Sequence, residues 1–266
     1  MERSLFDLRS PCRWVGSRLD VYREVDSTNV VAERLAQRGA PEGTLVVADA
    51  QRAGRGRLGR SFFSPGRHSV YLSLLLRPRM APEHIHQHVF VAALAVAESV
   101  AAYLPPSVPL EIKWPNDLLL AGRKTSGINL PAQLEGNRVI SLVLGIGVNV
   151  NVPEDEFPAD LRPIATSLLI AGGRPVDRVS FTETLLGQLE AGLERLRREG
   201  FARVLDRWKK YFRMQGERVR VGGPGVSEQV EGVVEGVDAE GALLVRSDRA
   251  LERILAGDVT LARREA

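Results

Sequence analysis

Only one of the 266 residues is a cysteine, Cys12. A lone thiol cannot build a disulfide framework, so the chain reads as a protein of a reducing compartment, the cytoplasm. Cys12 itself reads as a small apolar filler. No stretch of about 18 apolar residues exists, which excludes a membrane-spanning helix and sets membranes aside as a partner. The first residues place Glu2, Arg3 and Asp7 among apolar neighbours, leaving no hydrophobic region for a signal peptide. Internal repeats and low-complexity tracts are absent. Charge of one sign is also scarce in net terms: 36 Lys plus Arg face 33 Asp plus Glu, a balance of +3. The sequence pI near 9.3 therefore says less than where the basic residues lie. What remains is 44% hydrophobic and 26% charged, the balance of a globular chain with one sizeable core and room for a second, smaller unit.

The pattern of apolar residues predicts a mixed α+β architecture. A helix follows Asp26-Ser27-Thr28-Asn29 and ends at Gly39. Residues 44–48 form a short β-branched run, and residues 69–76 are apolar on both faces, as a buried central strand is. Ile85, Val89, Ala93, Val96 and Val100 carry a helix over 82–103, stopped by Pro105-Pro106. A β-rich stretch follows over 110–114, 118–120, 125–130 and 139–150, with turns at Gly122 and at Gly136-Asn137. Ser180 and Glu183 read as a capping box for a helix closed by Gly200, and a further helix holds Val204, Leu205, Trp208 and Phe212. From Gly216 onward, valine and glycine alternate with charge. This predicts a small barrel-like β unit and divides the chain at 1–215 and 216–266.

Two strings carry chemistry. Arg52, Arg55, Arg57 and Arg60 fall within nine residues that hold no carboxylate, interleaved with Gly54, Gly56 and Gly59. Bare glycine amides and guanidinium forks together suit an anion that has to be wrapped. Gly54, Gly56 and Gly59 also match a dinucleotide fingerprint. That motif needs a helix after its last glycine, and here Ser61 to Gly66 lead into a strand, so the dinucleotide reading fails. No GxxxxGK[ST] string exists for a Walker loop. An arginine–glycine loop touching RNA remains open on charge alone.

The second string is Lys113-Trp114-Pro115-Asn116-Asp117. Pro115 restrains the backbone and favours an extended Trp114. A hairpin turning at Gly122 brings Lys124 back toward Lys113 and Asp117. Two ammonium groups beside an arginine-rich loop call for an anion between them; surface lysines flanking a hairpin are the plainer alternative. His84, His86 and His88 alternate in sequence. On the predicted helix His84 and His88 share a face while His86 points away, which does not make a zinc site; they read as a solvated first turn. Trp14 and Trp208 read as packing residues, and Arg195, Arg197 and Arg198 as an exposed helix face.

Taken in order, DSTN (26–29), GRGRLGRSFFSP (54–65), VYLSLLLRP (70–78), KWPND (113–117), GRKTSGI (122–128) and GIGVNVN (145–151) closely resemble biotin–protein ligase, the biotin–[acetyl-CoA-carboxylase] synthetase family, over residues 20–266. The resemblance implies a mixed sheet covered by helices, followed by an SH3-like β-barrel. It implies that biotin and ATP, with Mg²⁺ on the phosphates and no metal site of the protein's own, yield biotinyl-AMP, and that biotin passes to a lysine of a biotin carboxyl carrier protein. By motif match Ser27, Thr28, Asn29 and Gln51 would hold the ureido head. Gly54, Arg55, Gly56 and Arg57 would close over the biotin and adenylate. Gly127, Ile128, Gly145 and Gly147 would let the valerate chain lie on backbone. Lys124 would hold the carboxylate and α-phosphate. Arg57, Arg60, Phe62, Lys113, Asn116, Asp117, Lys124 and Asn149 would form the ATP site, with Phe62 near the adenine.

Two departures stand out. Relatives often carry a glutamate after the lysine strand, where this chain reads Asn129-Leu130-Pro131. The segment before Asp26 is too short for the winged helix that some relatives use on DNA, so no operator binding is expected. An exposed edge strand leaves room for a homodimer. The expected chemistry is largely electrostatic, because a carboxylate must attack an anionic phosphate: Lys124, Arg57 and Lys113 screen that repulsion, and Asp117 orients or accepts the proton of the incoming amine. The rival readings are a lipoate–protein ligase or octanoyltransferase on a related fold, and a non-catalytic nucleic-acid-binding protein using the arginine loop.

Overall fold

The computed structural model describes residues 3–56, 59–223, 226 and 228–261. Thirteen strands and five α-helices are defined among them. β1 (Arg18–Val25) and β2 (Thr44–Gln51) flank α1 (Thr28–Gln37), and β3 (Ser69–Leu76) follows. α2 (Gln87–Ala101) leads into β4 (Leu110–Lys113), β5 (Asp117–Leu120), β6 (Arg123–Asn129), β7 (Ala132–Glu135) and β8 (Arg138–Asn149). α3 (Leu168–Gly172), α4 (Arg178–Glu199) and α5 (Phe201–Trp208) precede β9 (Arg218–Gly222), β10 (Val230–Val237), β11 (Leu243–Arg246), β12 (Leu251–Ile254) and β13 (Asp258–Leu261).

The larger sheet runs β1-β2-β3-β8-β6-β5-β4, with β7 paired to β8; only β1 and β2 are parallel. β3 lies in the middle and is buried along its whole length, which is why its sequence lacks a polar face. Alternation then sorts its side chains. Leu72, Leu74 and Leu76 join the core formed with α2 and α4, whereas Leu75 joins Ala32 and Ala36 of α1 on the opposite face, together with Val46 and Val143. The smaller sheet is antiparallel, in the order β12-β11-β10-β9-β13. Its turn at 238–242 is plugged into the helices of the larger unit: the Trp114 indole N–H donates to the Gly241 carbonyl at 2.9 Å. A Cβ at Gly241 would lie 2.9 Å from the Phe90 ring, so the plug requires a glycine there.

Several expectations shift. The helix expected over 82–103 begins only at Gln87, after a 3₁₀ turn at Pro82–His84, where the His86 ring nitrogens meet the backbone oxygens of Glu83 and Glu240. His88 is consequently buried instead of solvated. The Ser180–Glu183 capping box does not form: Asp177 caps α4 by accepting from the Ser180 amide at 2.7 Å, and Glu183 pairs with Arg3. A carboxylate three residues earlier outcompetes the serine hydroxyl for the free amides. Phe212 lies beyond α5, past a 3₁₀ turn at Lys209–Tyr211. β7 was not anticipated, since all four of its residues are exposed and show no apolar alternation. Arg52 leaves the basic loop altogether, pairing with Glu24 and Asp26. Arg197 of α4 stacks over Trp14 and pairs with Glu42, so it is not a bare solvated residue.

Candidate functional site

On the α1 face of the larger sheet, the row that packs Val143 under α1 continues along β8 as Gly145 and Gly147. Gly147 is paired across the strands with Gly127 of β6, and Gly145 with Ser73 of β3. A glycine-paved floor results, and its neighbours leave no room for larger residues. A Cβ at Gly145 would fall 2.1 Å from the Asn29 Oδ1, and one at Gly147 would fall 2.6 Å from the Phe62 ring. Such approaches are incompatible with any side chain in place. Above this floor opens a cleft.

One end of the cleft is uncharged and tightly bonded. Ser27, Thr28 and Asn29, at the start of α1, are all buried. The Thr28 amide and hydroxyl both donate to Gln51 Oε1, at 2.9 and 3.1 Å, and Gln51 Nε2 donates to the Ser64 hydroxyl at 3.0 Å. Ser73 Oγ lies 2.6 Å from Asn29 Oδ1 and 2.8 Å from Thr28 Oγ1. These contacts fix the Gln51 and Asn29 amides in one orientation. Ser73 escaped the sequence reading, yet its signal was visible: it is the polar interruption of an otherwise apolar run in the middle of β3.

The other end is cationic. Lys113 ends β4 opposite Asp117, the first residue of β5. The hairpin through Gly122 returns Lys124, whose ammonium lies 2.8 Å from Asp117 Oδ1. Asn116 donates to Asp117 Oδ1 and to the Ile128 carbonyl, both at 3.1 Å. Burial pushes the Lys113 ammonium below the usual lysine value; Lys124 and Arg60 push the same way, against Asp117 and Asp258. Arg55 and Arg60 reach the cleft from the basic loop, which doubles back on itself: the Gly56 amide donates to the Arg60 carbonyl at 2.7 Å and the Phe62 amide to the Gly54 carbonyl at 2.9 Å. Arg60 pairs with Asp258 of β13, so the smaller sheet forms part of the wall.

Arg55, Arg60, Lys113 and Lys124 thus face only Asp117 and Asp258 among the described lining residues, four cations against two carboxylates. An excess of positive charge in a partly closed cleft attracts a polyanion. No group of three or more His, Cys, Asp or Glu able to hold a metal occurs among the described residues.

Most of the motif-matched residues come together around this one cleft. Gly54 serves the loop through its carbonyl, with no place in the lining, and Asn149 turns its amide to the Thr166 carbonyl at 3.1 Å, away from the cleft. The Asn149 side chain is covered because residues 164–166 pair with the backbone of Lys124. Arg57 lies outside the described residues. Phe62 lies on the glycine floor, edge to face with Tyr71. Asp258 and Val259 were missed altogether, because nothing local in a β-rich tail reports which distant cleft it will border.

Residues 21–149 match the biotin/lipoate A/B protein ligase family, and residues 216–261 match the biotin protein ligase C terminal domain. The chain is 35% identical to a biotin–[acetyl-CoA-carboxylase] ligase of Paracoccus denitrificans, over 88% of this chain and 96% of that one. It is 37% identical to the bifunctional ligase/repressor BirA of Bacillus spizizenii, over 91% and 73% respectively. Among solved structures, the biotin protein ligase of Aquifex aeolicus in complex with biotin and ATP superposes with a TM-score of 0.78, at 30% identity, covering 93% of this chain and 99% of that one.

Proposed function

The chain belongs to the biotin protein ligase family, and from that premise we propose how its residues divide the work of ATP-dependent biotin ligation. The protein is an enzyme that uses ATP and biotin, and its acceptor is a carboxyl carrier protein. The observation that carries the assignment of residues is the polarity of the cleft: a neutral, hydrogen-bonded end and a cationic end joined by a backbone floor.

The bicyclic head belongs at the neutral end. A cyclic urea offers two N–H donors and one carbonyl acceptor, which complements the hydroxyls and amides of Ser27, Thr28, Asn29 and Gln51. The valerate chain lies over Gly127, Gly145 and Gly147, where only backbone can approach that closely. Phe62 occupies part of that floor, so it must shift or become a wall against the chain. The carboxylate then arrives beside Lys124. Its attack on the α-phosphate forms a C–O–P mixed anhydride and breaks the bond to the pyrophosphate leaving group. Arg55, Arg60, Lys113 and Lys124, with Arg57 of the same loop, screen the repulsion between the two anions. Mg²⁺ would be held through the phosphates.

In the second step a carrier lysine attacks the acyl carbon and AMP departs. A free lysine has a pKa of about 10.4 and must lose a proton first. Asp117, held by Lys124 and Asn116, is positioned to orient or accept that proton. A division at residues 215 and 216 is supported by the second sheet, which begins with β9 (Arg218–Gly222) and brings Asp258 to the wall of the cleft. In place of the glutamate that the family resemblance implies near residue 131, Asp117 is a carboxylate within reach of Lys124.

Incubation with biotin and Mg-ATP, followed by native mass spectrometry, should detect bound biotinyl-AMP. Pyrophosphate exchange driven by lipoate or octanoate and not by biotin would reassign the neutral end to a linear acid.

A further inference from the structure

A single buried hydroxyl stands beneath the neutral end of the cleft. Ser73 lies in the middle of β3, paired across the strands with Val46 of β2 and Gly145 of β8. It is fully buried and is not among the residues that line the cleft. A hydroxyl in such a place needs a partner. Ser73 finds both of its partners in the first turn of α1: Asn29 Oδ1 at 2.6 Å and Thr28 Oγ1 at 2.8 Å. It interrupts an apolar strand only to meet two side chains that do line the cleft.

The protons can be followed from there. Ser73 shares its one proton between the two α1 oxygens, and Thr28 passes its own hydroxyl proton to Gln51 Oε1 at 3.1 Å. The Thr28 amide donates to the same oxygen at 2.9 Å. A carboxamide oxygen has two lone pairs, so both of those on Gln51 are in use. Gln51 Nε2 gives one N–H to the Ser64 hydroxyl at 3.0 Å, and Ser64 donates to the Phe62 carbonyl at 2.9 Å. Gln51 is thereby held with its oxygen toward α1 and its nitrogen toward Ser64, with one N–H unspent. Hydrogen bonds that run in series in one direction strengthen each other. Asn29 is clamped in turn between the Ser73 hydroxyl and the bare backbone of Gly145, where a Cβ would fall 2.1 Å from its Oδ1.

We propose that Ser73 is a positioning residue for the neutral end: without touching the ligand, its hydroxyl decides which atoms of Thr28, Asn29 and Gln51 are offered to a cyclic urea. The proposal deepens the ligase reading and rests on it, because that reading places the bicyclic head there. A cyclic urea presents donors and an acceptor in a fixed order, so an amide turned by half a revolution meets it with the wrong atom. Loss of the Ser73 hydroxyl deprives Thr28 Oγ1 and Asn29 Oδ1 of their common donor, and both side chains then turn to find another. The cationic end is built on β4, β5, β6, the basic loop and β13, none of which Ser73 bonds to. The effect is therefore confined to the urea-bearing substrate.

Three measurements on the intact chain and on Ser73→Ala test this. Calorimetric titration should show biotin bound about 10-fold more weakly by the variant, the worth of one hydrogen bond. Desthiobiotin, which keeps the cyclic urea and lacks the thioether ring, should lose the same factor. In biotin-dependent pyrophosphate exchange the KM for biotin should rise by that factor, while kcat and the KM for MgATP at saturating biotin stay within about 2-fold. Nitrogen-15 spectra should show the side-chain amides of Asn29 and Gln51 ordered and protected from solvent exchange in the unaltered chain before ligand is added, and roughly 10-fold less protected in the variant. Unchanged biotin affinity, or equal losses for biotin and MgATP, overturns the proposal, the second because it marks a purely structural role. Should the variant fail to fold, the spectra of the unaltered chain decide: freely turning Asn29 and Gln51 amides refute an array set by Ser73. Failure of the unaltered chain to bind either urea compound would instead strike the ligase reading and leave the spectra to judge the array.

Discussion

The two ends of the cleft are built by opposite means. The neutral end is made of the buried Thr28, Asn29 and Ser73 with the half-buried Gln51, linked by hydrogen bonds of 2.6 to 3.1 Å. The cationic end is assembled from a strand terminus, a hairpin, a loop and a strand of the second sheet, and its Lys124 and Arg60 side chains are 39% and 70% exposed. A rigid pocket suits an uncharged head recognised by shape and hydrogen-bond direction. Charge acts over a longer range and tolerates looser placement, which suits phosphates that must enter and leave.

The sharpest way to break that comparison is at Lys124, which touches the reacting carboxylate in the proposed scheme. Lys124→Ala should lower biotin-dependent ATP–pyrophosphate exchange by about 10²- to 10³-fold; near-normal exchange would remove it from the site. At the neutral end, Gly145→Ala should act through packing alone. A methyl at 2.1 Å from Asn29 Oδ1 must displace that amide, at a cost of about 1–3 kcal/mol. Calorimetric titration should therefore show biotin binding weakened by roughly 10- to 100-fold, with nucleotide binding little changed. Equal losses for both ligands would mean that the two ends are not independent.

Next in size is an effect on the framework beneath both ends. Burial pulls the His88 imidazole down to about 4, and its Nδ1 has no partner. Between that value and the ordinary 6.5 the unfolded chain binds the proton and the folded chain does not, so stability falls as pH drops through this window, by on the order of 2–3 kcal/mol. His88→Leu should flatten the dependence of Tm on pH, because it removes the imidazole that titrates differently in the folded and unfolded chain. The smallest effect belongs to Asp258. Its pairing with Arg60 is exposed and screened, so Asp258→Asn should change the KM for ATP only a few-fold, more at low salt than at high. A large, salt-independent loss would show that the second sheet is as integral to the site as the glycine floor.

The parts that could be read in advance share a physical feature: their information is local. β3 was visible because a strand buried on both faces must be apolar throughout, and α1 because a capping run precedes it and Gly39 follows. Lys113, Asp117 and Lys124 were expected together because a hairpin of fixed length brings them together. β7 was not legible, since an exposed edge strand has no apolar pattern to show. The start of α2 and the cap of α4 were misread because competing partners lay elsewhere in space or a few residues away. Ser73 looked like a core residue until its hydroxyl met Asn29.

The sequence by itself determined the α+β class and named most of the glycines and charges that line the cleft, because alternation, turn geometry and motif spacing are properties of neighbours along the chain. Only the tertiary structure decided that Asp258 borders the cleft, that Arg52 leaves it, and that His86 spans two units. Those outcomes depend on which distant surfaces pack together, and burial, the dominant force of packing, specifies an apolar face without naming its partner.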